Sequence, residues 1–339
     1  MCDSAQVRED MPGRSLNGET AGSDIMPKIL TVTLNPALDL STSVERMQAG
    51  RKLRCAGARF DPGGGGVNVS RLIRRFGGRS TSFVALGGPT GDRLRGLMQG
   101  EGLDLAEFPI RGDTRQDITV DETGRGRQYR LVLQGPRWSG QEVRAALAEI
   151  ERLVATHEYV VATGSLPPGV PEDFYARIAR MVRRQGGRML LDSSGAPLRR
   201  ALKAGVFLVK PNHIEFRDLT GAARSDWTSM ARVGQRLRAS GQAEAMVVTR
   251  GSKGALAILP EGSWRLQAPE VTVESMVGAG DSLIGALVLN LARGRSLLEA
   301  CRVGVAAAAA AVETPGTELA LRTETLRLAK RTKVWPVAR

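Results

Sequence analysis

Residues 277–294 read VGAGDSLIGALVLNLARG, a glycine-framed aspartate followed by an apolar helix that a glycine closes. Because Gly278, Ala279 and Gly280 have small side chains, the backbone N–H groups at the start of this helix stay accessible, and the helix dipole there favours anions. Asp281 falls in the first turn, where its carboxylate can accept a proton from a hydroxyl that attacks phosphorus. The same pattern also suits an ordinary helix cap with a glycine turn.

Around this motif, β-rich runs alternate with helical patterns along most of the chain. The run KILTVTL at 28–34 predicts a first core strand that ends before Pro36, and apolar residues at helical spacing predict a helix over 68–76. Such alternation indicates right-handed βαβ units, and hence an α/β fold with a mainly parallel sheet that helices cover on both faces. The other predicted elements are the strands STSFVAL, YVVAT, RMLLD, VFLVK and AMVVT, and helices from Asp92, from Gln141 to Ala155, around Phe174 to Val182 and after Asn212.

Two segments, residues 40–60 and 114–134, interrupt this alternation. Both contain alternating polar and apolar residues, and the second has a turn at Thr123-Gly124 between ITVDE and RQYRLVL. These features predict exposed antiparallel strands. We interpret them as a small β-sheet lid, although an ordinary edge hairpin explains the pattern equally well.

Two further motifs lie at predicted junctions between a loop and a helix. The glycine run PGGGGVN at 62–68 either lets a ligand approach the backbone closely or forms a flexible loop. After the strand VFLVK, Asn212 and Glu215 are spaced three apart at a helix start, so their oxygens can hold magnesium through water. A capping box requires the same two residues. The sequence contains no P-loop, dinucleotide fingerprint or protein-kinase catalytic loop.

The composition narrows the class of protein. The formal charge of this 339-residue chain is +13. One explanation of this charge is an arginine-rich composition spread over solvated surfaces. If the charge instead serves binding, it fits phosphate-bearing small molecules better than nucleic acid, because the arginines form no long basic tail and lack interleaved aromatics. The cysteines at 2, 55 and 301 match neither a disulfide framework nor a zinc site, which indicates a reducing compartment, and no stretch predicts a membrane span. The polar residues 1–26 are predicted to be a disordered tail that precedes one domain over 27–335.

Together these motifs resemble the PfkB/ribokinase family of carbohydrate kinases, from about Lys28 to near Lys330. The resemblance implies a ribokinase-like three-layer α/β/α domain with a small β-sheet lid, the use of ATP and Mg²⁺, a cytoplasmic location and a homodimer formed through the lid. The motifs that are similar to those of kinases acting on fructose and tagatose phosphates are Asn35-Pro36-Ala37-Leu38-Asp39, Thr114-Arg115-Gln116, Gly164-Ser165-Leu166-Pro167-Pro168-Gly169 and Asp192-Ser193-Ser194-Gly195.

The resemblance also implies a role for each position that matches a family motif. Asp281 would deprotonate the C1 hydroxyl of the sugar, and Gly278, Ala279 and Gly280 would stabilise the transferring phosphoryl group. The residues implied to bind the sugar phosphate are Asp39, Gly63, Gly64, Asn68, Lys52, Arg54, Arg115 and Ser165, with Arg54 contributed by a neighbouring subunit. Those implied to bind ATP are Lys210, Asn212, Thr249, Gly251, Gly278 and Gly280, while Asn212 and Glu215 order the magnesium ion.

One position favours a particular acceptor. In the family, 1-phosphofructokinases and tagatose-6-phosphate kinases typically have a lysine in the glycine run, where this chain has Gly65. The resemblance therefore implies phosphorylation of fructose 6-phosphate to fructose 1,6-bisphosphate, with the other two activities as alternatives. An alternative outside the enzymes is a non-catalytic regulator that binds sugar phosphate or nucleotide. Met276 supports this alternative, because relatives often have threonine at that position. Glu318, where some relatives have a basic residue near a monovalent-cation site, argues against activation by potassium.

Overall fold

The computed structural model describes residues 28–221, 226–314 and 316–338, and the tail predicted for residues 1–26 lies outside them. Within the described residues, the strands are β1 (Ile29–Thr33), β2 (Ala37–Val44), β3 (Ala56–Gly63), β4 (Thr81–Leu86), β5 (Asp104–Pro109), β6 (Arg115–Glu122), β7 (Arg127–Val132), β8 (Tyr159–Thr163), β9 (Arg188–Asp192), β10 (Val206–Val209), β11 (Ala243–Thr249), β12 (Ala255–Leu259), β13 (Gly262–Gln267) and β14 (Lys333–Pro336). The helices are α1 (Gly65–Arg75), α2 (Gly88–Gly100), α3 (Gly140–Val154), α4 (Phe174–Arg184), α5 (Gly195–Ala204), α6 (His213–Thr220), α7 (Trp227–Ala239), α8 (Ala279–Ala292), α9 (Leu297–Val312), α10 (Arg322–Arg331) and the short 3-10 helix Gly251–Lys253.

The central sheet has ten strands in the order β14-β13-β12-β11-β10-β9-β8-β1-β4-β5. From β11 to β5 each neighbouring pair is parallel, whereas β12, β13 and β14 form an antiparallel edge. Every residue of β1 and β8 is buried, as expected for strands that helices cover on both faces. The prediction of a mainly parallel sheet is confirmed, and the antiparallel edge is an addition to it.

Helices pack on both faces of this sheet. One face carries α3, α4, α5 and α7, whose apolar side chains form a core with β1, β8 and β11. The other face carries α1, α8, α9 and α10. Glycine permits close packing there, since a methyl group at Gly285 would stand 2.7 Å from Leu72 Cδ2. These three layers confirm the predicted α/β/α architecture. No helix among the described residues is both long and apolar enough to cross a membrane.

A second sheet of four strands, in the order β3-β2-β6-β7, is separate from the central sheet, and we call it the lid. Its presence confirms that part of the predicted fold, with β2 and β3 extending beyond residues 40–60 to Ala37 and Gly63. The expectation that all lid strands are antiparallel is wrong for β2 and β6, which pair in parallel. β2 follows β1, and β6 follows β5, and both β1 and β5 run in the same direction in the central sheet. The chain therefore enters the lid twice in the same direction, which makes β2 and β6 parallel.

Two helix starts differ from those expected. α1 begins at Gly65, inside the glycine run, because Gly64 takes φ 103° and serves as the N-cap. α2 begins at Gly88 rather than at Asp92, since Pro89 has the fixed φ of a first helical turn. The glycine run is therefore a helix start rather than a flexible loop.

Candidate active site

Asp281 lies in the first turn of α8. The N-cap Gly278 has φ 73°, a left-handed conformation that glycine adopts without strain, and a methyl group there would stand 2.9 Å from Leu319 Cδ2. The amino end of α8 thus combines backbone N–H groups with the positive end of a helix dipole, which is the arrangement of an anion hole. Two residues before Gly278, Met276 is 81% exposed.

The Asp281 carboxylate is partly buried and receives a hydrogen bond from α1. Asn68 Nδ2 donates to Asp281 Oδ2 over 2.9 Å. Burial is the main cause of a raised pKa of Asp281, about 7, and the Asp192 carboxylate adds to it. The hydrogen bond from Asn68 and the positive charges of Lys210 and Arg130 lower this pKa. A carboxylate with a pKa near neutrality is suited to take a proton from a hydroxyl group.

Lys210 is a buried cation beside the start of α8. It follows β10, and its Nζ lies 3.0 Å from Asp192 Oδ2 at the end of β9. Burial by itself would lower the pKa of Lys210, but the carboxylates of Asp192, Asp281 and Glu215 together outweigh it, so the pKa is raised and the ammonium stays charged. A methyl group at Gly280 would stand 3.2 Å from Lys210 Nζ. Lys210 therefore adds a fixed positive charge to the anion hole.

The glycine run holds the backbone close to three polar side chains. A methyl group at Gly63 would collide with the Asp39 carboxylate. One at Gly65 would collide with Thr163 Oγ1 and stand 3.1 Å from Asp281 Oδ1. Glycine at these two positions therefore keeps the space beside both carboxylates free of side chains.

Asp39 on β2 is the second partly buried carboxylate of the site. Its pKa is raised to about 7, mainly by burial and then by the neighbouring Asp117 carboxylate. The positive charges of Arg130, Arg115 and Arg71 lower it. Asp39 thus responds to the same pH range as Asp281, and its oxygens can accept hydrogen bonds from sugar hydroxyls.

Arg115 on β6 already has several partners. Its Nη1 donates to Asp117 Oδ1 over 2.9 Å and to Leu133 O over 3.1 Å, and its Nε donates to Asn35 O over 3.3 Å. Asn35 Nδ2 in turn donates to Ser165 Oγ over 3.2 Å. The structure thus links two predicted sugar-phosphate residues, Arg115 and Ser165, through Asn35.

Three other cations of the lid are exposed. Lys52 and Arg54 lie in the connection between β2 and β3, and their contact with a sugar phosphate stays a prediction. Arg130 pairs with Thr119 in the β6–β7 ladder, and its side chain makes no hydrogen bond or ion pair with another residue in the described part of the chain. Its charge nevertheless acts on both partly buried carboxylates, Asp39 and Asp281. Arg130 is therefore a cation that faces the site and has its donors available.

The predicted nucleotide and magnesium residues meet at the start of α6. Asn212 Oδ1 accepts hydrogen bonds from the backbone N–H groups of Ile214 and Glu215, and Glu215 Oε2 accepts one from the N–H of Asn212. These bonds form a complete capping box. Thr249 pairs with Asn212 through a backbone bridge, and Gly251 follows with φ 58°. Among the described residues, no group of three or more acidic, histidine or cysteine side chains is placed to hold a metal ion.

The loop that packs behind Gly278 is tied to the lid. Arg59 on β3 donates to Glu318 Oε1 over 3.1 Å and to Thr317 Oγ1 over 3.4 Å. Thr317 Oγ1 also donates to Asp61 Oδ2 over 2.7 Å. Glu318 therefore has a cationic partner from β3.

The sequence pattern of the group described as pfkB family carbohydrate kinase matches residues 32–324. The chain belongs to this family. Among its PfkB relatives, the ATP-dependent 6-phosphofructokinase isozyme 2 of Mycobacterium tuberculosis is 41% identical over 291 residues, which are 86% of each chain. The enzyme of the same name from Escherichia coli is 37% identical over 304 residues, or 89% of this chain and 98% of the relative. A Bacillus subtilis 1-phosphofructokinase is 33% identical over 292 residues, 86% of this chain and 95% of the relative.

Crystal structures of phosphofructokinase-2 from E. coli share the fold. The complex with fructose-6-phosphate has a TM-score of 0.84 at 36% identity, and the complex with potassium has 0.85 at 37%; both cover 90% of this chain and 99% of the other. A tetrameric inhibited form of the same enzyme has a TM-score of 0.83 with the same coverage. The predicted PfkB membership and ribokinase-like fold are thus confirmed.

Two charged residues of the candidate site, Asp192 and Arg130, have no role predicted from the sequence. Asp192 ends β9, and its place at the carboxyl end of a buried parallel strand is a usable signal, because ligand sites of open α/β sheets lie at that edge. Arg130 is one of several arginines between 125 and 130, and only the pairing of β7 with β6 brings it to the site.

Proposed function

We propose that the protein is an ATP-dependent 6-phosphofructokinase, which transfers the γ-phosphoryl group of ATP to the C1 hydroxyl of fructose 6-phosphate. The observation that carries this proposal is the convergence of a partly buried base of raised pKa, a helix amino end and an ammonium group at Asp281, Gly278 and Lys210. Relatives named 6-phosphofructokinase isozyme 2 that align over most of the chain, one of them also solved with fructose-6-phosphate, support the choice of acceptor.

In the proposed reaction, Asp281 takes the proton of the C1 hydroxyl while that oxygen attacks the γ-phosphorus and the bond to the β-phosphate oxygen breaks. Gly278, Ala279 and Gly280 contribute N–H groups, and Lys210 contributes charge, to stabilise the transferring phosphoryl group. The chain supplies position and positive charge rather than a covalent intermediate. ADP and fructose 1,6-bisphosphate are the products.

The sugar phosphate is proposed to lie between the glycine run and the lid. Hydroxyl groups would bond to Asp39, Asn68, Ser165 and the backbone at Gly63 and Gly64. The 6-phosphate would meet the lid cations, which are Arg115, Arg130, Lys52 and, from a second subunit, Arg54. Arg115, whose donors now bond to Asn35 O, Asp117 Oδ1 and Leu133 O, would then share its guanidinium between the phosphate and Asp117.

The nucleotide is proposed to lie along the start of α6, with Lys210, Thr249 and Gly251 as its neighbours. Asn212 and Glu215 fit a magnesium ion that is bound through water, because the capping box uses Glu215 Oε2 and leaves Oε1 as an acceptor. Magnesium bound there would neutralise part of the triphosphate charge. We do not extend the proposal to potassium, because Glu318 pairs with Arg59.

A coupled assay with ATP and each of fructose 6-phosphate, fructose 1-phosphate and tagatose 6-phosphate tests the acceptor. We expect the highest kcat/KM with fructose 6-phosphate, since Gly65 packs against Thr163 and offers no lysine to a second phosphate position. Activity with fructose 1-phosphate alone would show that the 1-phosphofructokinase alternative is correct. Binding of ATP and sugar phosphate without turnover on any of the three would favour the regulator alternative.

The rate is expected to fall as the pH is lowered through about 7. Asp281 must be ionised to accept a proton, and the pKa of Asp281 and that of Asp39 are both raised to about 7. The stability of the fold depends on pH in the opposite direction to the rate. Both carboxyls bind protons more tightly in the folded than in the unfolded chain, so their contribution to stability decreases as the pH rises from about 4 to about 7. A profile of kcat/KM for fructose 6-phosphate against pH measures the first effect, and a flat profile down to about pH 5.5 would contradict it.

We further propose a cytoplasmic homodimer formed through the lid. Leu131 and Val132 on the edge strand β7 and the adjacent Leu133 are 52%, 62% and 48% exposed, which is unusual for three consecutive apolar residues. A second copy of the lid would cover them.

Val132→Asp is therefore expected to shift the protein from dimer to monomer, because a buried charge disfavours the interface. Light scattering coupled to size-exclusion chromatography measures the mass. Val273→Asp is the matched control, since Val273 is also 62% exposed but lies outside the lid. The KM for fructose 6-phosphate should rise only in the Val132 variant, as Arg54 of the second subunit is lost. A dimeric V132D protein would exclude this interface.

A further inference from the structure

Arg71 is a buried arginine of α1 that lies one helical turn after Asn68. Its side chain is only 6% exposed. Nε and Nη2 donate to both carboxylate oxygens of Glu101 at 2.8 to 3.0 Å, the fork arrangement that arginine makes with a carboxylate. Nη1 donates to Pro62 O over 2.9 Å. The guanidinium is therefore fixed in place between the end of α2 and the start of the glycine run.

The same Nη1 also donates to Asn68 Oδ1 over 3.3 Å. Asn68 in turn donates from Nδ2 to Asp281 Oδ2. If the Asn68 amide were rotated by 180°, its NH₂ group would face a guanidinium that has no acceptor, and its carbonyl oxygen would face a carboxylate. Arg71 and Asp281 therefore favour the same amide orientation, and a chain of hydrogen bonds runs from Glu101 to the base.

We propose that Arg71 is a positioning residue for Asp281: by fixing the amide orientation of Asn68, it keeps a donor on Asp281 Oδ2 and leaves Oδ1 for the sugar hydroxyl. This inference rests on the proposed phosphofructokinase function. The geometry supports it in a second way, because Asp281 Oδ1 lies on the side of Gly65, where the glycine run provides space. Arg71 itself acts through Asn68 and does not contact the reacting atoms.

The charges that face Asp281 come from several elements. Asp192 on β9 raises the pKa of Asp281, whereas Lys210 after β10 and Arg130 on β7 lower it, as does the hydrogen bond from Asn68. Removing Arg71 leaves these three charges in place. The change that remains is a less well-oriented donor from Asn68, so Asp281 should bind its proton more tightly. Asp39 is the other carboxylate that Arg71 influences, and its pKa should rise as well.

The test compares Arg71→Met with Arg302→Met in the full chain. Arg302 makes closely similar contacts far from the site: its Nε and Nη2 donate to both oxygens of Glu299, and its Nη1 donates to Ala329 O over 2.7 Å. Both variants lose an arginine that bridges a glutamate and a backbone carbonyl. Melting temperature, kcat, KM for fructose 6-phosphate and the acid limb of the pH profile are measured for each.

We expect R71M to lower kcat at pH 7 by up to about 100-fold, the effect of a misplaced catalytic group, and to move the acid limb upward by about 0.5 to 1 pH unit. R302M should lose stability without moving the limb. Arg71→Lys, which keeps the charge but not the fork, should fall between R71M and the wild type. A limb that stays in place in R71M, or moves equally in R302M, would overturn the inference.

If R71M does not fold, Glu101→Gln gives the same test with Arg71 retained, because the Glu101 side chain is 36% exposed and the substitution keeps its shape. It loosens the fork while the Arg71 charge stays, so kcat at pH 7 should fall by a smaller factor than in R71M, and an unchanged kcat would refute the positioning role. If the proposed function were wrong, the result would differ, because the wild-type protein itself would not phosphorylate fructose 6-phosphate.

Discussion

Asp281→Asn is expected to lower kcat by about 10²- to 10⁴-fold, the range that a positioned general base contributes. The amide keeps the shape of the carboxylate but does not accept a proton from the C1 hydroxyl. Asn68 can still donate to the remaining carbonyl oxygen, so the start of α8 should stay intact. Because burial disfavours the ionised carboxylate at this position, the neutral amide should not destabilise the fold.

Calorimetric titration with fructose 6-phosphate and with an ATP analogue measures whether the D281N protein still binds both ligands. The matched control is Asp218→Asn, which changes an exposed carboxylate on α6 near Arg217. Its kcat should equal that of the wild type. Turnover by D281N within about tenfold of the wild-type rate would mean that another group is the base.

Lys210→Met has the second largest expected effect, because it removes both a charge of the anion hole and the partner of a buried carboxylate. Lys210 and Asp192 are 8% and 21% exposed, and breaking such a pair costs about 3 to 5 kcal/mol of stability. The loss should lie at the lower end, since Asp192 retains some contact with solvent. The rate should fall by about 10²- to 10³-fold, as for other groups that stabilise developing charge.

Chemical denaturation and kcat separate these two effects. In the double variant Asp192→Asn with Lys210→Met, stability should largely return, because no unpaired charge is left, whereas the rate should stay low. Arg200→Met is the control, since it breaks an ion pair with Glu172 in which both side chains are more than half exposed, and it should change stability little. A full return of the rate in the double variant would show that Lys210 serves only to neutralise Asp192.

The elements that the sequence predicts well are those whose signals are local. The all-apolar strands β1 and β8 and the helix α8 are recognised from runs of neighbouring residues, and the glycines around Asp281 mark the start of α8 directly. The antiparallel strands β12, β13 and β14 and the parallel pairing of β2 with β6 are not visible in this way. The position and direction of these strands depend on which sheet edge has unpaired backbone groups available. A pattern of neighbouring residues does not contain that information.

The features of the candidate site also fall into those with a local sequence signal and those that depend on long-range packing. A glycine-framed aspartate, a glycine run and an Asn212–Glu215 pair are short-range patterns, because turn conformation and helix starts depend on a few adjacent residues. The contacts that set the pKa of Asp281 come from residues that are far from it in the sequence. Asn68 is separated from Asp281 by 213 positions, and Asp192 and Lys210 lie at the ends of two neighbouring strands. Burial and charge coupling depend on distance in space, so only the packing of α1, α8 and the central sheet determines them.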